Sequence, residues 1–206
     1  MTDAENCVLA GFVAGFCWTP GREGWTADLP SAVPTVSDCL ADFLPADQDI
    51  EPWQQSLFAP WHRTLRQAAN AVRHAPADPR TVHVLSMSVP TAVVAELMTV
   101  IEEWIDDLPH PVRMNLVHPT AVPPGTTRGF EVLGFIDGRF HSWLCYRLDT
   151  QASTKLGIRP GSAALLTTLD DAQRVADMAN DNRGNHDGTP LDVTWFPALI
   201  TEHDAD

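Results

Sequence analysis

The residue pair with the most chemical promise is His141 and Cys145, four positions apart in a segment that we expect to be helical. Residues at i and i+4 share one helix face, so the imidazole would lie beside the thiol. A neighbouring imidazolium lowers the pKa of a thiol and favours the thiolate, the nucleophile of cysteine-dependent hydrolases and transferases. His118 and Glu131, on two strands that we expect to be neighbours, would complete such a site, with His141 or His118 as the base.

The same pair also allows two interpretations without catalysis. Leu144, Leu148 and Ala152 continue the predicted helix face, and cysteine is among the residue types most often buried, so the pair would pack in the core. As metal ligands, one histidine and one cysteine supply only half of the set that a structural zinc requires, and the chain contains no C-x-x-C pair. The sequence therefore predicts no metal site and no cofactor.

The signatures of several large enzyme and nucleotide-binding classes are missing from the chain. It has no phosphate-binding G-x-x-x-x-G-K-[ST] loop, no G-x-G-x-x-G turn, no G-x-S-x-G elbow and no H-E-x-x-H helix. The polar run at 180–188 resembles a calcium loop, but its register places Arg183 at the first ligand position and Thr194 at the twelfth. These absences favour a binding protein over an enzyme.

The charge balance favours a protein partner over nucleic acid. The chain has 27 acidic and 13 basic residues, a formal net charge of −14, and residues 1–60 contain nine acids and one base, Arg22. Such a surface repels a phosphate backbone, so we expect no nucleic-acid binding, whereas a basic protein would be attracted. The alternative is that the charge serves solubility alone.

A group of carboxylates marks the first candidate surface for such a partner. These residues are Glu102, Glu103, Asp106 and Asp107. They fall on the polar side of a predicted helix, where like charges four positions apart repel each other and the last two stand at the negative helix end. A basic partner would relieve this repulsion. A solvated helix face is the alternative.

Tryptophans provide the second candidate surface. Trp25 and Trp53 lie in the acidic, proline-rich N-terminal part, and aromatic side chains of this kind dominate the energetics of many interfaces. They would anchor a partner. They would equally well attach the N-terminal part to the core.

The cysteines and the hydropathy pattern bear on the compartment. The four cysteines are Cys7, Cys17, Cys39 and Cys145. No apolar run reaches the ~20 residues of a membrane helix, and the first apolar run follows acidic residues where a signal peptide carries basic ones. We therefore expect a cytoplasmic protein that does not bind membranes, with its cysteines as reduced thiols.

Periodicity predicts an α+β fold in two parts. Residues 1–80 carry short apolar runs between prolines, which indicates an irregular, mainly helical extension, with one helix over 6–18 and helical turns over 37–44 that begin at Ser37. Residues 81–206 carry more regular patterns and would form an α+β domain. Together we expect them to form one folding unit.

Within the second part, the pattern predicts β-α-β-β-α-β-α-β and a mixed sheet with flanking helices. The predicted strands are 81–89, 113–118, 130–136, 163–168 and 192–200. The predicted helices are 93–108, 140–152 and 170–179, after one at 61–72 in the first part. The run from residue 140 also allows a hairpin, because Asp137 and Gly138 form a turn signal, but its helical spacing makes us prefer the helix.

The C-terminal part carries a resemblance. Its sequence runs GFEVLGFIDGRFHSWLCYRL at 129–148, GIRP at 157–160, DA at 171–172 and WFPALI at 195–200. In these stretches the chain resembles an uncharacterised group of small bacterial proteins. The resemblance implies an immunity partner of a toxin and supplies no site residues.

Two hypotheses follow from the sequence. The first is a binding protein of the immunity or antitoxin kind, in which an acidic, tryptophan-containing surface masks a basic protein. The second is a small cysteine-dependent hydrolase or transferase with Cys145 as the nucleophile.

Overall fold

The computed structural model describes residues 6–17, 33–44, 61–75, 81–105, 110–136, 138–161, 163–181 and 193–205. Its strands are β1 (Cys7–Cys17), β2 (Ala41–Phe43), β3 (Val82–Pro90), β4 (Thr126–Ile136), β5 (Arg139–Ser142) and β6 (Thr194–His203). Its α-helices are α1 (Leu65–Arg73), α2 (Val94–Ile105), α3 (Pro111–Val117), α4 (Leu148–Lys155) and α5 (Leu169–Asp181). Two short 3-10 helices, Thr91–Val93 and Trp143–Tyr146, precede α2 and α4.

The six strands form one sheet in the order β2-β1-β3-β6-β4-β5, and every described strand pair is antiparallel. The predicted α+β class is confirmed. The predicted mixed sheet and element order are wrong, because from residue 81 the described elements run β-α-α-β-β-α-α-β. Strands from both sides of residue 80 belong to this one sheet, in which β1 pairs with β3. The domain boundary placed there stays a prediction.

Strand β1 replaces the helix predicted over 6–18. It pairs with β2 on one side and with β3 on the other, and its side chains from Leu9 to Phe16 are buried on both faces of the sheet. A strand covered on both faces shows a continuous apolar run without alternation, and this pattern cannot be told from that of a buried helix by periodicity alone. Strand β2 likewise lies where helical turns were expected.

Helices cover both faces of the sheet. On one face, Leu97 of α2 and Leu116 of α3 belong to a hydrophobic cluster that includes Leu85 and Phe196 of the sheet. On the other face, α1 packs against β1 and β3, while α4 and α5 pack against β4 and β6. The helical periodicity predicted α1, α2 and α5 correctly because each buries a single stripe of apolar residues.

Helix α3 replaces the strand predicted over 113–118. His110 caps it, because its Nδ1 accepts a hydrogen bond of 3.2 Å from the Val112 amide, and Pro111 opens the first turn. Val112 and Leu116 are buried four positions apart. In so short an element, alternation and helical spacing coincide, so periodicity could not separate them.

The segment after β4 forms a hairpin where we preferred a helix over 140–152. Gly138, at a φ of 77°, makes the turn, and Phe140 pairs with Phe135 across the two strands. The Phe140 ring packs edge-on against Phe135, Trp61 and Phe196, and this burial favours the strand over the local helical pattern. The chain becomes helical at Trp143.

The remaining predicted elements are largely confirmed. The strands over 81–89, 130–136 and 192–200 correspond to β3, β4 and β6. The strand predicted over 163–168 reduces to a single bridge between Leu166 and Phe130. None of the helices in the described ranges has the length and hydropathy that a membrane span requires.

Candidate functional site

Glu131 is the most unusual residue of the sheet, because it is a carboxyl group with 0% exposure in the middle of β4. It lies opposite Ala198 of β6, and strand alternation places it on the same face as Leu133 and Phe135. A carboxylate in such surroundings is costly unless other groups donate hydrogen bonds to it. Its partners come from a distant segment of the chain.

Residues 33–40, which we call the strap, cross over Glu131 and attach to β5. Thr35 Oγ1 lies 2.8 Å from Oε1 and 2.9 Å from Oε2 of Glu131. The Asp38 amide donates to the Phe140 carbonyl at 3.1 Å, and the Ser142 amide donates to Ser37 Oγ at 2.9 Å. The strap thus covers Glu131 and extends the hydrogen bonding of the sheet edge.

Burial raises the pKa of Glu131 to about 7. Hydrogen bonds from the side chains of Ser142 and Thr35 and from the Val36 backbone act in the opposite direction and offset part of the cost. Near neutral pH, therefore, Glu131 exchanges between a neutral acid that donates a hydrogen bond and an anion that only accepts.

A second perturbed carboxyl group lies on the strap. Burial raises the pKa of Asp38 to about 6, and Arg139 and hydrogen bonds from backbone amides offset part of this effect. Its Oδ2 is buried without a hydrogen bond from any described residue. The strap and β4 therefore bring two carboxyl groups with raised pKa values, Asp38 and Glu131, next to β5.

A disulfide between Cys39 and Cys145 joins the strap to the 3-10 helix that follows β5. The two Cα atoms are 6.9 Å apart although 106 positions separate the residues in sequence. The expectation that all cysteines are thiols is therefore wrong for this pair. Sequence spacing gave no sign of it, because the sheet topology alone brings the two residues together.

The disulfide has a polar neighbour on the strap. Ser37 Oγ lies 2.9 Å from Cys39 Sγ. The same oxygen accepts hydrogen bonds from the amides of Ser142 at 2.9 Å and of Cys39 at 3.3 Å. Since two amides donate to this oxygen, its own proton points to the sulfur, the remaining acceptor.

The predicted catalytic residues lie on other elements than the sequence suggested. His141 lies in β5 and Cys145 in the 3-10 helix, so the pair does not share a helix face, and the His141 ring contacts Tyr146 at 5.9 Å between centroids. His118 is exposed at the end of α3, so it does not stand on a strand beside Glu131. Glu131 and Cys145 contact the same strap, through Thr35 and Cys39, and their role in catalysis stays a prediction.

The predicted partner residues are described in part. Glu102 and Glu103 are exposed on α2, and Glu102 Oε1 accepts a hydrogen bond of 3.3 Å from Arg113 Nε of α3. The other predicted partner residues, Asp106, Asp107, Trp25 and Trp53, lie outside the described residues.

Sequence reasoning missed the strap as part of a site. Thr35, Ser37, Asp38 and Cys39 form a polar cluster between the buried Val33 and Leu40. A run of small polar residues between apolar ones is a weak signal, because the same pattern occurs in ordinary loops. Only the tertiary structure shows that this polar cluster lies over Glu131.

A second buried polar pair lies on the opposite face of the sheet. His203 Nε2 lies 2.8 Å from Ser86 Oγ, and its Nδ1 lies 3.0 Å from the Pro124 carbonyl. The carbonyl can only accept, so Nδ1 carries the proton and Nε2 accepts from the serine hydroxyl. Both side chains are buried, and the pair ties the segment before β4 to β3 and β6.

Within the described ranges, no group of three or more His, Cys, Asp or Glu side chains is arranged to hold a metal ion. The fold and the strap thus define an α+β protein whose buried acid is covered by a disulfide-linked segment. No protein-family model matches the chain, and neither a curated protein nor a solved structure matches it.

Proposed function

We propose that this protein is a binding protein of the immunity or antitoxin kind that masks a basic protein partner. Its net charge of −14 would attract such a partner and speed the association of the two proteins. We place it in the cytoplasm and expect it to bind neither nucleic acid nor membranes.

The outer face of α2 is the main support for this function. Leu97 and Ile101 turn inward to the core, while Glu96, Glu102 and Glu103 are exposed on the other side of the helix. Arg113 pairs with Glu102 at 3.3 Å. An exposed row of carboxylates on a rigid helix is suited to a complementary basic surface.

The alternative, a cysteine-dependent hydrolase or transferase, has less support. A nucleophilic cysteine must be a thiolate, but the Cys145 sulfur is bonded to Cys39. His141 is also not held beside that sulfur by a helix. A catalytic role would require reduction of the disulfide first.

The test compares two charge-neutralised triple variants as baits in cells of the source organism. The first, Glu96→Gln, Glu102→Gln and Glu103→Gln, removes three charges from α2. The second, Asp170→Asn, Asp177→Asn and Asp181→Asn, removes three exposed charges from α5 and serves as the matched control. Cross-linked partners are identified by mass spectrometry, and the association rate with the purified partner is measured at two salt concentrations.

We expect the wild-type chain and the α5 variant to capture one basic protein, and the α2 variant to fail to capture it. Its association with the wild-type chain should slow with added salt, because surface charges are screened. Equal loss with both variants would reject a specific α2 surface. The absence of any basic partner would reject the binding function.

A further inference from the structure

The Cys39–Cys145 disulfide is only partly buried. Both cysteines are partly exposed, whereas the flanking Leu40 and Leu144 are buried. The disulfide is also the only covalent link that the described residues show between the strap and the segment after β5. The other described contacts of the strap are hydrogen bonds, apolar packing and the charge interaction between Asp38 and Arg139, and all of these break and reform far more readily.

We propose that Cys39 and Cys145 form a redox-active pair whose reduction by a thiol releases the strap from β5 and uncovers Glu131. The inference does not depend on the proposed binding function, but it rests on the proposed cytoplasmic location. In a cytoplasmic setting, disulfides of mesophilic proteins are mostly transient and serve catalysis or redox sensing. The co-reactant is a small dithiol or a protein with a paired dithiol.

The exchange proceeds in two steps. A thiolate of the reductant attacks one sulfur of the pair and forms a mixed disulfide, while the other cysteine leaves as a thiolate and takes a proton from solvent. The second thiol of the reductant then attacks the mixed disulfide and releases the remaining cysteine. The protein gains two electrons and two protons, and the reductant leaves as its own disulfide.

Ser37 determines which sulfur leaves. Its hydroxyl proton points to Cys39 Sγ, because two amides already donate to its oxygen. A hydrogen bond of this kind stabilises the Cys39 thiolate, and a more stable thiolate leaves faster. The reductant therefore attacks Cys145, and the mixed disulfide forms there.

The strap is attached separately at its C-terminal end and where it lies over Glu131, so reduction acts locally. Beyond residue 40, β2 stays paired with β1, and the Leu44 amide donates to the Ala14 carbonyl at 2.8 Å. The part that lies over Glu131 is held by Thr35, Ser37 and the Asp38 amide. Once the disulfide opens, only these hydrogen bonds and the packing of Val33, Val36 and Leu40 hold the strap.

The first measurement follows amide hydrogen exchange of the wild-type protein, oxidised and after reduction by dithiothreitol. The proposal expects exchange at residues 35–40 to accelerate by about tenfold or more, with β3 and β6 unchanged. Unchanged exchange in the strap of the fully reduced protein would overturn the release. Reduction that occurs only when the whole sheet exchanges would show a purely structural disulfide and overturn the redox role.

The second measurement locates the mixed disulfide. The wild-type protein is treated briefly with 2-mercaptoethanol, quenched with acid and digested, and the adducts on Cys145 and Cys39 are counted by mass spectrometry. The proposal expects the Cys145 adduct to exceed the Cys39 adduct by about fivefold or more, and Ser37→Ala to bring the ratio near one.

Ser153→Ala on α4 is the matched control and should leave the ratio as in the wild type. A ratio, unlike a rate, is insensitive to general loosening of the strap by the Ser37 variant. A predominant Cys39 adduct, or a ratio that Ser37→Ala does not change, would overturn the assignment of the leaving sulfur.

Discussion

Thr35 Oγ1 lies nearly equidistant from the two carboxyl oxygens of Glu131, at 2.8 and 2.9 Å, and this contact joins residues 96 positions apart. A hydroxyl has one proton and can donate to only one of these oxygens at a time. An ionised Glu131 accepts this hydrogen bond at one oxygen, and the bond opposes the rise in pKa that burial causes.

Replacing Thr35 with Val tests this contact. The variant keeps the shape of the side chain but leaves a buried carboxyl group without one hydrogen-bond partner. We expect it to lower the free energy of unfolding by about 1–3 kcal/mol and to raise the pKa of Glu131 further. Urea unfolding measures the first effect. Thr150→Val, on the exposed side of α4, is the control, and an equal loss in both variants would contradict the prediction.

The raised pKa of Glu131 predicts that stability falls as pH rises. Between the ordinary value of 4.5 and the folded value of about 7, the folded protein holds a proton that the unfolded chain has lost. The contribution is therefore fully present below pH 4.5 and is lost as pH rises through 7. Its full size is on the order of 3 kcal/mol.

Glu131→Gln isolates this effect, because other buried groups also titrate. The pKa of Asp38 is raised to about 6 and acts in the same direction, whereas burial lowers the pKa of His110 to about 4 and acts in the opposite one. We expect the variant to gain stability relative to the wild type from pH 4.5 to pH 8. Denaturant unfolding at several pH values measures this, and a constant difference between the two proteins would refute the assignment.

The disulfide predicts a large stability difference between oxidised and reduced protein. A crosslink between residues 106 positions apart restricts the unfolded chain, and its loss should cost about 2–4 kcal/mol. We expect the double variant Cys39→Ala and Cys145→Ala to unfold at a lower temperature than the oxidised wild type. Calorimetry with and without a reductant checks this. Under reduction the two proteins should become similar, and Cys7→Ala, which removes no crosslink, should keep the dependence on reductant.

The hydrogen bond between Ser86 and His203 predicts a cost on the other face of the sheet. Ser86→Ala leaves the buried Nε2 without its partner, and we expect a loss of about 1–3 kcal/mol in the free energy of unfolding. Ser153→Ala, a substitution of the same type outside the core, should be nearly neutral. Thermal unfolding compares the stabilities of the Ser86 and Ser153 variants. A neutral Ser86 variant would show that His203 finds another donor.

The sequence alone predicted helices α1, α2 and α5, because each buries one side and exposes the other. It also predicted strands β3, β4 and β6, which are buried on both faces over most of their length, because turn and proline signals bound their apolar runs. It failed for β1, whose apolar run with small residues fits a buried helix equally well, and for the hairpin at Phe140, where packing against three aromatic rings outweighed the helical spacing. It failed as well for α3, which is too short to show a period.

The residues of the candidate site also fall into two groups, those that the sequence identified and those that only the tertiary structure revealed. The sequence singled out Cys145 by its spacing from His141, and Glu131 as a carboxyl group on a predicted strand that could complete the same site. Only the tertiary structure decided their partners, because Thr35 and Cys39 reach them from about 100 positions away across a sheet edge. Local patterns record which residues a segment buries, but which distant segment covers them depends on the order in which the strands pair.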